Sequence, residues 1–186
     1  MLWLADRKAT VLKRAQSPLI ECIVTNPTVI RDWTSDGSSL ESVSVEVARA
    51  TGKQLFVQLY GPTSEEYVKE AYRLLSFDHR LLPKIPATTA GLEAVAELTG
   101  AGIHSLVTAV CTISQAFLAA EAGARAICPY YGRLNSAEPG SADALIAATR
   151  ALYDRRRYAT LIVPASIRSG EQGDAAMLAG ADTIIA

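Results

Sequence analysis

Lys84 lies inside an apolar run, Leu81-Leu82-Pro83-Lys84-Ile85-Pro86. Lysine is rarely buried without a partner. Burial disfavours the ammonium form and brings an amine pKa down. A neutral amine attacks carbonyls and gives a Schiff base. The competing reading is a lysine at a strand end whose head reaches water. The company Lys84 keeps separates the two. Polar side chains recur where apolar runs hand over to the next segment: Asp6, Asn26, Gln58, Thr108, Tyr130 with Arg133, and Ser166 with Arg168. Each has an ordinary explanation alone. Asp6 could cap a helix, and Asn26-Pro27 could be a turn. Gln58 and Thr108 could satisfy backbone groups, Tyr130 could be core with its hydroxyl at the rim, and Arg133 could make a weak surface ion pair.

Together these residues make a coherent reaction set. Lys84 attacks a ketone. The carbinolamine must lose water, which needs a positioned proton donor and acceptor. Asp6 and Tyr130 can move protons, and Gln58 and Thr108 can hold a water between them. The iminium is an electron sink for the carbanion left when the adjacent carbon–carbon bond breaks. Asn26 can bind a substrate hydroxyl. Arg133, Ser166 and Arg168 suit a phosphate, because the arginine fork makes parallel charge-assisted bonds. A phosphorylated sugar is the expected substrate class.

The elements that must hold these groups follow from apolar periodicity. Expected strands are Leu2–Asp6, Ile20–Thr25, Gln54–Leu59, Leu81–Pro86, Ser105–Ala109, Ala126–Tyr130, Thr160–Pro164 and Thr183–Ile185. Runs such as Leu161-Ile162-Val163 read as parallel strands covered on both faces. Expected helices are Arg7–Ala15, Leu40–Thr51, Ser64–Ser76, Thr88–Thr99, Ile113–Ala122, Ala142–Arg157 and Gly170–Ala179. Gly52, Gly100, Gly123 and Gly180 stand where left-handed helix caps are required. Strands alternating with helices predict an α/β fold, a (β/α)8 TIM barrel filling residues 1–186 as one domain. The last expected strand is not followed by an eighth helix. A doubly wound open sheet is the competing architecture, but no glycine-rich phosphate loop follows the first strand.

Composition narrows the function classes. The chain of 186 residues carries a formal net charge of -1, without the basic excess of a general nucleic-acid binder. Arg155-Arg156-Arg157 reads as a solvated helix end favoured by the helix dipole. No apolar stretch is long enough to span a bilayer, and Met1-Leu2-Trp3-Leu4 is too short for a signal peptide. The three cysteines, Cys22, Cys111 and Cys128, read as reduced core thiols of a cytoplasmic protein. His79 and His104 make no ligand set with them, so neither metal nor cofactor is expected.

Several segments in this order resemble the transaldolase family, the small class I aldolases that include the fructose-6-phosphate aldolase type. They are Val24-Thr25-Asn26-Pro27-Thr28, Pro83-Lys84-Ile85-Pro86 with Thr89-Ala90-Gly91-Leu92, Thr108-Ala109-Val110 and Ala122-Gly123-Ala124. Pro129-Tyr130-Tyr131-Gly132-Arg133, Pro164-Ala165-Ser166-Ile167-Arg168 and Leu178-Ala179-Gly180-Ala181-Asp182 complete the order. The resemblance implies that Lys84 is the Schiff-base lysine and that Asn26 contacts substrate. It implies that Thr108 helps hold the catalytic water, and that Arg133, Ser166 and Arg168 take the phosphate. It also implies a homo-oligomer. Gln58, Leu106 and Tyr130 resemble the aldolase type, where transaldolases commonly carry Glu, Asn and Phe.

The implied reaction is cleavage or formation of fructose 6-phosphate from dihydroxyacetone and glyceraldehyde 3-phosphate. The alternatives are transfer of a dihydroxyacetone unit between sugar phosphates, and a catalytically inactive truncated barrel. The family's first strand ends in L-D-T or L-D-S, whereas this chain reads Leu4-Ala5-Asp6-Arg7. In one register Asp6 takes the catalytic aspartate's place; in the other Ala5 does and the acid is lost. Alternation puts Leu2, Leu4 and Asp6 on one face, with Trp3 and Ala5 on the other, and the reading adopted is Asp6.

Overall fold

Apolar runs buried on both faces form a parallel sheet here, as two-sided burial requires. A computed structural model describes residues 1–186. The strands are β1 (Leu2–Leu4), β2 (Ile20–Val24), β3 (Gln54–Gln58), β4 (Leu81–Pro86), β5 (Leu106–Val110), β6 (Ala126–Pro129) and β7 (Leu161–Ile162). All seven pair in parallel and in chain order. The sheet curls until its edges meet through the last residues. Ile185 N–H donates to Pro164 O (2.9 Å), Trp3 N–H to Ile184 O (3.1 Å), and Ala186 N–H to Trp3 O (3.0 Å). The architecture is a (β/α) barrel.

Helices α1 (Lys8–Arg14), α2 (Pro27–Trp33), α3 (Leu40–Thr51), α4 (Ser64–Phe77), α5 (Thr89–Gly100), α6 (Ile113–Glu121), α7 (Tyr131–Ala137), α8 (Ser141–Arg156) and α9 (Gly170–Leu178) lie between and after the strands. Ser39, Thr63, Thr88, Thr112 and Ser169 each accept a backbone N–H in the first turn that follows. These caps satisfy orphan donors and fix where each helix leaves its loop. Gln115 completes a capping box with Thr112, and its Nε2 also donates to Ala87 O (3.1 Å) after β4.

The core has two compartments. A cluster of 37 buried residues fills the layer between sheet and helices. A second, of 10 residues, fills the ring interior; it includes Trp3, Val24, Phe56, Leu82, Leu106 and Cys128. Trp3 stacks on Phe56 with ring centroids 5.2 Å apart. Since strand side chains alternate, the inward set continues upward from Trp3 to Ala5, from Phe56 to Gln58, from Leu82 to Lys84 and from Leu106 to Thr108.

Some expectations fail locally. Asn26-Pro27, which could be read as a turn, is the cap and first residue of α2: Asn26 Oδ1 accepts Thr28 and Val29 N–H, both at 2.9 Å. Proline suits that first position because its missing N–H would be unpaired anyway. Helix α7 also was not expected. Gly100 is the last residue of α5, and Gly102, at φ 76°, adopts the left-handed conformation. Cys111 is exposed, whereas Cys22 and Cys128 are buried as expected. No helix is long and apolar enough to cross a membrane.

Gly91, in the first turn of α5, has no room for a side chain. A Cβ there would meet Pro86 O at 2.1 Å and Ile85 Cγ2 at 3.0 Å. Alanine ordinarily improves a helix position by about 0.5–1 kcal/mol, but here it would push against the end of the strand that carries Lys84. Gly91→Ala is expected to destabilise the protein by about 1–3 kcal/mol, read as a lower urea midpoint with unchanged slope.

Candidate active site

Strand β4 turns Lys84 into the ring, where the residue is 3% exposed. Its Nζ crosses β3 and donates to Thr25 O at the end of β2 (2.8 Å). Desolvation brings the amine below its ordinary value, and the opposing influence is the neighbouring Cys128. Burial pushes the Cys128 thiol up, so that group stays neutral and provides no counter-charge. Burial thus disfavours the ammonium form of this amine, which makes one N–H bond to a carbonyl.

Its surroundings are mostly fixed by the backbone. Thr25 Oγ1 accepts Gln58 N–H (2.8 Å), locking β2 to β3 beside the amine. Gln58 Nε2 donates to Leu59 O (3.0 Å) and Lys84 O (3.3 Å), so its donors are committed to the strand ends. Thr108 Oγ1 is buried without a hydrogen-bond partner. It lies one strand from Cys128, with which Thr108 pairs in register. The sequence at this strand end is strained: Ala109 has φ 60° beside the irregularity between Thr108 and Val110. Strain of this kind costs about 1–3 kcal/mol and is typical of working sites.

A cavity of about 420 Å3 opens at this end of the ring. Lys84, Asn26, Tyr130, Arg133, Ser166 and Arg168 line it together. Asn26 Oδ1 is committed to the α2 cap, which leaves its NH2 as the donor facing the cavity. The Arg133 guanidinium lies 4.8 Å from the Tyr130 ring centroid, a cation–π geometry. Ser166 takes a left-handed conformation (φ 68°), and Gly132 lets it do so. A Cβ on Gly132 would meet Ser166 O at 2.9 Å. Arg168 N–H donates to Gln172 Oε1 (2.8 Å), which ties its loop to the start of α9. Two exposed guanidinium groups and a hydroxyl thus face a cavity whose floor is a desolvated amine.

Asp6 is not part of this arrangement. Its Oδ1 accepts Arg7 N–H (2.7 Å), and its backbone O accepts Trp33 Nε1–H (3.0 Å). The residue lining the cavity is Ala5. Alternation in β1 is as expected, but the inward face is the Trp3 and Ala5 face, because Trp3 stacks within the ring while Leu4 packs against the helices. The reading with Asp6 in the acid's place is therefore corrected. Gln58, paired in register with Lys84, and Thr108, paired with Pro86, are both buried and do not line the cavity. Sequence reasoning missed the Thr25 carbonyl and the hydrocarbon lining of Ala5, Val24 and Ile185. Trp3 was the available signal: an aromatic that large at β1 belongs to the interior, and it sets the parity of Ala5.

Comparison with known proteins agrees with this geometry. A family model described as Transaldolase/Fructose-6-phosphate aldolase matches residues 4–186. The chain belongs to this family. Relatives include a probable transaldolase from Lactiplantibacillus plantarum, 33% identical over 168 residues, covering 90% of this chain and 76% of the relative. Another, from Caulobacter sp., is 34% identical over 170 residues, covering 91% and 76%. One from Phenylobacterium zucineum is 33% identical over 182 residues, covering 97% and 82%. The protein is an enzyme of aldolase/transaldolase type, as family membership indicates.

The lowered Lys84 pKa has a stability consequence. Between the folded value and the unfolded value near 10.5, the unfolded chain binds the extra proton. Stability then rises with pH through that window, and the full cost is present below the folded pKa. Lys84→Met removes this titration. Its urea midpoint is expected to gain on wild type as pH falls from 10.5 through the window, with a constant difference below it.

Proposed function

We propose that the enzyme is a class I aldolase that makes and breaks a carbon–carbon bond of a phosphorylated ketose through an imine on Lys84. Fructose 6-phosphate, split to dihydroxyacetone and glyceraldehyde 3-phosphate, is the reference substrate. The observation that carries this reading is the desolvated amine at the floor of a cavity lined by Tyr130, Arg133 and Arg168. Lys84 Nζ attacks the ketone carbon, and water leaves the carbinolamine as the imine forms. With Arg133, Ser166 and Arg168 holding the phosphate, the C3–C4 bond electrons move into the protonated imine and the aldehyde departs. Tyr130 relays the proton from the C4 hydroxyl to C3 of the enamine. Water held at the Thr108 hydroxyl then hydrolyses the imine. Gln58 acts through the strand ends it ties together. Asn26 donates to a substrate hydroxyl.

Transfer to an acceptor aldose is the second reading, favoured by the relatives' printed name, probable transaldolase. The two differ in whether the enamine is protonated before the acceptor arrives, so a phenol beside the imine favours release.

The finer architectural reading is a (β/α)8 barrel in which residues 183–186 act as the eighth strand. An eighth helix would pack on the flank between α9 and β1. There Leu19 and Met177 line an open groove of about 680 Å3. These exposed apolar side chains support self-association as a homo-oligomer. An exposed free thiol at Cys111 fits a reducing, cytoplasmic setting.

Borohydride reduction in the presence of fructose 6-phosphate should leave a single adduct on Lys84, located by peptide mass spectrometry. An unmodified Lys84 peptide would reject the proposal. Tyr130→Phe should slow free aldol cleavage by about 100-fold or more, as loss of a general acid–base group does. It should raise the share of three-carbon transfer to erythrose 4-phosphate. Arg133→Ala should raise KM for the phosphorylated substrate by about tenfold, since a hydrogen bond to a charged group contributes about 1.5–3 kcal/mol. A matching loss with an unphosphorylated aldehyde would argue against a phosphate role.

A further inference from the structure

Tyr60 follows β3, and strand parity fixes which way it stands. Phe56 faces the ring interior and Gln58 is next on the same side, while Leu59 packs in the layer between sheet and helices. Leu59 N–H donates to Lys84 O (2.9 Å), so β3 stays tied to β4 up to this point. Tyr60 is therefore the next inward position, one layer above Gln58 at the rim of the ring. The turn that follows is held close to α4. Thr63 Oγ1 accepts Glu66 N–H (3.3 Å), and a Cβ on Gly61 would meet Glu66 Cβ at 3.2 Å.

Tyr130 comes to the same rim from another side of the ring. Cys128 faces the interior, Tyr130 is the next position of that set, and β4 and β5 stand between β3 and β6. Tyr130 lines the cavity, with the Arg133 guanidinium over its ring at 4.8 Å. Burial, and after it the nearby Tyr130 phenol, pushes the Tyr60 hydroxyl above its ordinary value. Tyr60 thus keeps its proton at neutral pH. Exposure separates the two: Tyr130 is half-buried at the cavity, whereas Tyr60 is 61% exposed.

We infer that Tyr60 is a positioning residue for proton transfer, which pairs with Tyr130 across the mouth of the ring and passes protons between that phenol and solvent. This inference rests on the imine chemistry proposed for Lys84. With a ketone bound as the iminium, the adjacent C–H bond breaks. Its electron pair moves into the iminium to give the enamine, and its proton goes to the Tyr130 oxygen. The Tyr130 proton moves to the Tyr60 oxygen, and the Tyr60 proton moves to water. The reverse sequence returns a solvent proton to carbon. Nothing is oxidised or reduced, and no aldehyde is needed. A phenol suits this relay because one oxygen both donates and accepts.

The test is deuterium exchange into dihydroxyacetone alone in D2O, followed by NMR, with borohydride trapping of the Lys84 adduct in parallel. Tyr60→Phe keeps the ring and removes the hydroxyl. It should slow exchange and lower kcat for aldol cleavage by about tenfold or more, as loss of a proton-transfer group does. KM and the trapped fraction of Lys84 should stay as in wild type. Tyr60→His, which restores a proton-carrying ring, should recover part of the exchange. Tyr60→Phe added to Tyr130→Phe should slow exchange little further, because the two phenols act in series. Equal exchange in wild type and Tyr60→Phe overturns the inference, and so does an additive effect in the double variant. A trapped fraction that falls together with the exchange overturns it too, since Tyr60 would then only support the fold. Each of these results leaves imine formation intact. No adduct on Lys84 of the wild-type protein overturns the imine reading and this inference with it.

Discussion

A lysine side chain inside a closed ring of parallel strands must give up either its water or its charge. At Lys84 desolvation shifts the balance towards the uncharged amine. The ring interior is filled by Trp3, Phe56, Leu82, Leu106 and Cys128, and nothing among them neutralises an ammonium group. The Cys128 thiol is itself desolvated and stays protonated. The single polar contact, to the Thr25 carbonyl, needs only one N–H. Much of the site follows from keeping that amine dry and accessible on one side. The strands must be short enough to end just above it, and the loops must bring polar groups to the rim without bringing water to the floor.

The barrel meets these demands with local devices that also carry chemistry. Asn26 is both the cap of α2 and a cavity-lining amide, so its oxygen is committed to the fold and its nitrogen is left for a ligand. Gly132 makes room for the strained Ser166 loop, which brings Ser166 and Arg168 towards Arg133 and Tyr130. Gln58 ties the ends of β3 and β4 together through two carbonyls. The resulting cavity is asymmetric. The segments after β6 and β7 contribute cations and hydroxyls, while β1, β2 and residue 185 contribute hydrocarbon. A carboxylate is missing from the wall because Ala5 faces inward there and Asp6 is turned to its own backbone neighbour. In a desolvated site that difference changes both proton transfer and what the wall will accept.

Most of the fold was legible in the sequence. Long periodic segments such as Leu40–Thr51 and Leu81–Pro86 have the bounds that apolar spacing predicts, because burial on one stripe or on two faces leaves little freedom in pattern. Two short helices, α2 and α7, were not legible, although α1, of the same length, was. Helix α2 begins at a proline that equally marks a turn, and α7 has only seven residues. Both are held by what they pack against, not by propensity. Cys111 shows the same limit: apolar neighbours in sequence do not settle which face of a loop a thiol takes.

The residue types that can do chemistry, their order along the chain and their recurrence at strand ends were determined by the sequence alone. That information is local, since it depends on which side chains titrate, donate or bond and on where a strand must stop. Which side chains face the amine was decided only by the tertiary structure. The stacking of Trp3 on Phe56 sets the parity of β1 and puts Ala5, not Asp6, against the cavity. A strand presents two equivalent faces until something outside it is packed, and a change of one residue exchanges them.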